Sequence, residues 1–179
     1  MSDVLIPEKD PTAINVQGDA EAHRISGTTY HGNIDFDCPV WSFIDVNLWQ
    51  GGYLAGLRLS DHFKHVISLY PWEKYKAHRR LDTELYVTMY DDPEQQLDQV
   101  DAIARLVNEC RKTGPTLVHC QAGLNRSSIV VARALYLEGG ERNKDGETII
   151  RYLRAARSPA VLCNPAFEDE VLSWGTGNE

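Results

Sequence analysis

Between His119 and Ser128 the chain reads His-Cys-Gln-Ala-Gly-Leu-Asn-Arg-Ser-Ser, placing a thiol, Cys120, and a guanidinium, Arg126, six positions apart. A cysteine thiolate is a strong nucleophile. The planar fork of arginine matches two oxygens of a phosphoryl group, which the point charge of lysine does not. Gly123 between them lets the backbone curl around an anion. These residue types fit attack by Cys120 on phosphorus, with Arg126 stabilising charge on the transferring group. The backbone N–H groups of Gln121, Ala122, Gly123, Leu124 and Asn125 would hold the remaining oxygens. Ser127 is placed to hydrogen-bond the Cys120 sulfur and ease its departure when water attacks, and His119 to brace the loop from behind. Alone, Cys120 would read as one more buried core cysteine; the glycine, the arginine and the hydroxyl together favour catalysis.

Such a loop needs a strand before it and a helix after it, because a helix N-terminus offers unpaired N–H groups and a partial positive charge to an anion. Thr116 to His119 reads as a short apolar strand and Ser127 to Leu137 as a buried helix. Upstream, Trp41 to Gln50, Phe63 to Tyr70 and Glu84 to Tyr90 are rich in β-branched and aromatic residues and read as strands. Leu97, Val100, Ile103, Ala104, Val107 and Cys110 recur at helical spacing over Gln95 to Lys112, and Gly114 with Pro115 ends that helix. Two further helices are expected over Glu147 to Arg157 and Pro165 to Trp174, the latter with Asn164 as N-cap and Pro165 at its first position. Residues 1–38 show no sustained period and read as an irregular or partly ordered N-terminal arm, leaving 39–179 as the catalytic domain. The fold class is α/β, a central, mostly parallel twisted sheet of four to five strands flanked by helices.

At His119 to Ser127 the sequence resembles the protein tyrosine phosphatase superfamily, whose signature is His-Cys, five residues, Arg, then Ser or Thr; the compact size resembles its dual-specificity branch. The resemblance spans residues 40–175, with Leu48 to Ala55, Val66 to Leu69, Thr116 to Arg133 and Leu153 to Phe167 as its matching segments. It implies the cysteine-based phosphatase fold, a phosphocysteine intermediate and no cofactor or metal. In that family an aspartate on an upstream loop protonates the leaving oxygen, and Tyr90-Asp91-Asp92-Pro93 stands there. Asp91 is preferred because Leu97 sits where the family places the first buried residue of the next helix, and Asp92 is the alternative. The pair would equally suit the start of a helix near Glu94. Leu153-Arg154-x-x-Arg157 and Asn164-x-x-Phe167 resemble the closing segment that ties the last helices to the sheet.

The resemblance implies a phosphorylated protein as substrate, since the uncharged Gln121, Ala122, Leu124 and Asn125 depart from phosphoinositide-directed relatives. Asn125 before Arg126 also resembles the RNA 5′-triphosphatase branch, whose Thr-His-Gly is absent. With 18 basic against 26 acidic residues and a net charge of −8, the surface repels nucleic acid and anionic lipid. No apolar run approaches membrane-spanning length and residues 1–10 carry no secretory pattern. Cys38, Cys110, Cys120 and Cys163 are widely spaced with no CxxC pair, as expected of reduced thiols in a cytoplasm. Lys74, Lys76, His78, Arg79 and Arg80 form a basic cluster that is either a solvated face or a guide for acidic phosphopeptides, with Tyr75 a candidate to stack on a substrate ring. His62 and His65 read as ordinary helix or turn surface. The rival functions are a phosphatase of a lipid, RNA or metabolite, and a binding module that docks phosphate without turnover. The sequence does not address oligomeric state.

Overall fold

The computed structural model describes residues 6–175. Its centre is a five-stranded sheet of β4 (Trp41–Asp45), β5 (Leu48–Gly51), β6 (His65–Ser68), β7 (Thr83–Tyr86) and β8 (Thr116–His119), in the order β4-β5-β8-β6-β7. β4 and β5 form an antiparallel hairpin, and β5, β8, β6 and β7 run parallel. The Trp41 to Gln50 stretch is therefore two strands, and the turn between them is allowed by Asn47 at φ 55°, a left-handed conformation that asparagine tolerates. β6 and β8 are buried along their whole length, as central parallel strands must be when both faces are covered.

Helices α1 (Val100–Arg111), α2 (Arg126–Glu138), α3 (Gly146–Ala156) and α4 (Pro165–Leu172) pack around the sheet. α1 turns Val100, Ile103, Ala104 and Val107 into the core, and each larger apolar side chain so buried contributes about 1.5–3 kcal/mol. It starts later than its apolar spacing suggests. Gln95 Oε1 accepts from Tyr90 N at 2.7 Å and Gln95 N donates to Asp92 O at 3.0 Å, which holds the chain after Pro93 in turns. α2 is buried on nearly every side, and α4 is capped by Asn164, whose side chain accepts from Ala166 N with Pro165 following.

The N-terminal arm, expected to be irregular or partly ordered, contains both kinds of chain among the described residues. β1 (Val16–Asp19), β2 (Arg24–Thr28) and β3 (Asp35–Pro39) form a separate three-stranded antiparallel sheet. Only Ile25, Phe36 and Cys38 on it are deeply buried, so each strand carries too short an alternation to show a period. Residues 6–15 precede this sheet without regular structure, and several of them meet the loop that follows β8.

Candidate active site

Parallel strands β5, β8 and β6 end at Gly51, His119 and Ser68, and the loop from Cys120 to Asn125 leaves β8 there and enters α2 at Arg126. The crevice at the carboxyl ends of such strands is where open α/β sheets bind ligands. Four carbonyls of this loop, those of residues 121–124, accept hydrogen bonds from other segments. Gln121 O accepts from Tyr53 N at 2.8 Å and Leu124 O from Leu162 N at 2.7 Å. Ala122 O and Gly123 O accept from Arg157 Nη2 and Nε at 2.9 and 2.7 Å, and Gly123 O also accepts from Gln50 Nε2 at 3.0 Å. Among the described residues, the backbone N–H groups of 121–125 donate to nothing. Successive backbone N–H groups left without acceptors are what an anion-binding nest requires. Gly123 is required here: its φ is +72°, and a Cβ would lie 2.4 Å from the Gly51 carbonyl carbon.

Sequence reasoning assigned Arg157 to tying the last helices to the sheet. Its guanidinium does reach the sheet, with Nη1 donating to Ser42 Oγ in β4 at 3.0 Å, and it also holds the loop and donates to Pro39 O at 2.8 Å.

Cys120, Gln121, Ala122, Leu124, Asn125, Arg126 and Asp91 line one small cavity with Ile14, Thr29 and Tyr30 of the arm. Ser127 Oγ stands 3.3 Å from Cys120 Sγ. His119 is fully buried behind the loop, its Nδ1 3.2 Å from Cys120 O. Burial first, and Arg126 with it, hold the His119 pKa down at about 4, against a weaker opposing bond to Cys120 O, so the ring is neutral near pH 7. Arg126 is 2% exposed and sits over the Tyr70 ring at 5.5 Å. Burial opposes its charge, but Cys120, Asp10 and Asp91 outweigh that and raise its pKa. Its Nε is buried with no partner among the described residues.

Of the two aspartates, Asp91 lines the cavity and Asp92 does not. The Asp91 carboxylate accepts from Asn125 Nδ2 at 3.0 Å and from Asn164 Nδ2 at 2.9 Å, with His31 Nε2 at 3.3 Å. Asp91 N donates to Thr12 Oγ1 at 2.9 Å. Asp92 Oδ1 instead accepts from Glu94 N at 2.8 Å in a local turn, and α1 begins too late for either aspartate to cap it.

Other sequence expectations change. Tyr75 cannot stack on a substrate ring, because it is 9% exposed and its hydroxyl donates to Gly52 O at 2.6 Å. His65 is no surface residue: it lies buried in β6, with Thr83 Oγ1 at 2.9 Å and Thr113 Oγ1 at 2.7 Å. Lys74, Lys76, His78, Arg79 and Arg80 are exposed and none lines the cavity. Sequence reasoning missed Asp10, Thr12, Ile14 and His31. Each is a single polar or apolar residue in a stretch without periodicity, and no local signal marks it.

The model of the dual specificity phosphatase catalytic domain matches residues 57–176. Over 136 residues the chain is 24% identical to the dual specificity protein phosphatase H1 of Variola virus, covering 70% of this chain and 77% of that protein. Among solved structures, the tyrosine phosphatase OH1 from the Orf virus aligns with a TM-score of 0.57 at 20% identity, over 73% of this chain and 83% of that one. Human DUSP28 aligns with a TM-score of 0.57 at 19% identity, over 74% and 90%.

Proposed function

Since this chain belongs to the dual specificity phosphatase family and is a phosphatase, we propose that it dephosphorylates cytoplasmic phosphoproteins, at phosphotyrosine and at phosphoserine or phosphothreonine, through a phosphocysteine intermediate at Cys120. The observation that carries this reading is the loop itself, whose carbonyls at 121–124 accept from other segments while Cys120, a buried Arg126 and Asp91 line the cavity. A buried guanidinium Nε without a partner calls for an anion, because an unsatisfied charged donor is expensive to bury.

In the first step Cys120 Sγ forms a bond to phosphorus as the bond from phosphorus to the leaving oxygen breaks. Asp91 gives its proton to that oxygen, which spares the departure of a bare alkoxide or phenolate. Arg126 and the loop N–H groups take up the negative charge of the equatorial oxygens. In the second step water attacks phosphorus, passes its proton to Asp91, and the sulfur leaves as thiolate. Ser127 Oγ, at 3.3 Å, donates to that departing sulfur.

A protein substrate is supported by the uncharged side chains of the loop. The Orf virus relative is a tyrosine phosphatase with triple substrate specificity. The four cysteines are free thiols, in keeping with a reducing compartment.

The test is phosphate release from phosphotyrosine and phosphoserine or phosphothreonine peptides, phosphoinositides and triphosphorylated RNA, with Cys120→Ser as blank. Release from the peptides that Cys120→Ser abolishes supports the proposal. Release from lipid or RNA alone would reassign the substrate, and undiminished release by Cys120→Ser would overturn the mechanism.

A further inference from the structure

The Arg126 guanidinium makes two hydrogen bonds, and both leave from Nη1: to Asp10 Oδ2 at 2.7 Å and to Met89 O at 3.0 Å. Asp10 lies 116 residues earlier, in the arm, outside the residues that match the family model. Its side chain is 0% exposed and that of Arg126 3%. The other carboxylate oxygen, Oδ1, accepts from Thr12 N at 2.8 Å and Thr12 Oγ1 at 2.7 Å, so the carboxylate is fixed in a tight local turn. The segment is also fastened on both sides of Asp10. Trp72 Nε1 donates to Pro7 O at 2.8 Å, and the Gln121 side chain bonds Ile14 at both its N, 2.9 Å, and its O, 2.7 Å.

A carboxylate on a phosphate-binding arginine invites the reading of a plug. The geometry argues against it. Arg126 lines the cavity and Asp10 does not, and the loop N–H groups are untouched by the arm. A guanidinium grips two oxygens through two neighbouring N–H donors; with Nη1 taken, Nε and Nη2 form the edge that is left, and Nε is the atom that lacks a partner.

We infer that Asp10 is a positioning residue that, together with Met89 O, holds Arg126 by Nη1 and so aims its Nε and Nη2 edge at the phosphoryl group. The inference rests on the phosphatase reading above. Holding matters because charge stabilisation acts only where donors already point at the transition state, and a misplacement of about 1 Å costs roughly 100-fold in rate.

The test compares Asp10→Ala, Asp10→Asn and Asp10→Glu in the full chain by steady-state hydrolysis of an aryl phosphate. Asp10→Ala lowers kcat roughly 10- to 100-fold with little change in KM, and Asp10→Asn, which keeps an acceptor for Nη1, recovers most of it. Resolved Nη proton signals of Arg126 in the nitrogen-15 NMR spectrum of the wild type, collapsing in Asp10→Ala, report the holding directly. Equal or higher kcat in Asp10→Ala and Asp10→Asn would overturn the inference, an increase marking Asp10 as an obstruction. If the wild type turns over no phosphate, the phosphatase reading fails and the NMR comparison still decides, with unchanged Nη signals counting against Asp10. Should Asp10→Ala not fold, Asp10→Glu, whose longer side chain displaces the acceptor, is expected to lower kcat below that of Asp10→Asn, and wild-type kcat in Asp10→Glu would overturn the inference.

Discussion

The loop from Cys120 to Arg126 and the arm from Ile6 to Pro39 face each other across one cavity, but they are held by different means. The loop is buried, and its carbonyls are tied to Tyr53, Gln50, Arg157 and Leu162. The arm rests on a small sheet with much of β1 in solvent and Tyr30 78% exposed. It reaches the cavity through a few single residues, Asp10, Thr12, Ile14 and His31. The proposed nucleophile Cys120 and its Arg126 therefore sit on the deeply buried side, while Asp10 meets Arg126 from the arm. Regions with few buried contacts open at lower free energy, and within the arm β1, with three of its four residues exposed, fits that description.

Asp91 is where the two sides meet, gripped by Asn125 and Asn164 on one hand and by His31 and Thr12 on the other. Asp91→Asn is expected to lower kcat on a phosphopeptide roughly 10²- to 10⁴-fold and far less on an aryl ester whose leaving group needs no proton. Asp92→Asn is expected to change neither rate appreciably; if it shows the larger loss, the acid is misassigned and the two sides meet elsewhere.

Arg157 tests the rigid side alone. Burial pulls its pKa down, yet its hydrogen bonds reach five backbone or hydroxyl oxygens. Arg157→Leu leaves Ala122 O, Gly123 O and Pro39 O short of donors, so stability in urea is expected to fall by about 3 kcal/mol, with turnover falling too. Retained stability and rate would mean that the loop does not depend on this tether.

His119 gives the smallest effect and sharpens the same point through pH. Its folded pKa of about 4 lies below the ordinary 6.5 or so of an unfolded histidine. Between those values the unfolded chain binds a proton that the folded one refuses, so stability rises with pH across that window and is lost as pH falls. The full difference amounts to about 3 kcal/mol. In His119→Gln that part of the slope between pH 4 and 6.5 should disappear, as measured by urea unfolding across the window; an unchanged slope would assign it to other groups.

What could be read from the residues follows the same division. Strand β8, its loop and α2 are contiguous, and the chemistry of Cys120, Gly123 and Arg126 lies within seven residues, so spacing alone exposes it. Asn164 was legible as a helix cap, but not as a partner of Asp91, because its side chain serves both purposes in space. Asp10 is one of 26 acidic residues, and nothing in its neighbours distinguishes it from those in solvent. Long-range positioning of this kind depends on where the fold brings a residue and leaves no periodic trace.

The tethers of the phosphate loop have one more consequence, for the order in which the site is made. Arg157, Leu162 and Asn164 lie after the loop in the chain, and a polypeptide is synthesised from its N-terminus at about 5–20 residues per second. A nascent chain that has exposed Cys120 and Arg126 but not yet Arg157 lacks the donors to Ala122 O and Leu124 O and one of the two donors to Gly123 O, and lacks Asn164 on Asp91. Cys120 thus emerges from the ribosome before several of the residues that hold its loop, and the proposed activity is expected to begin only once they have followed.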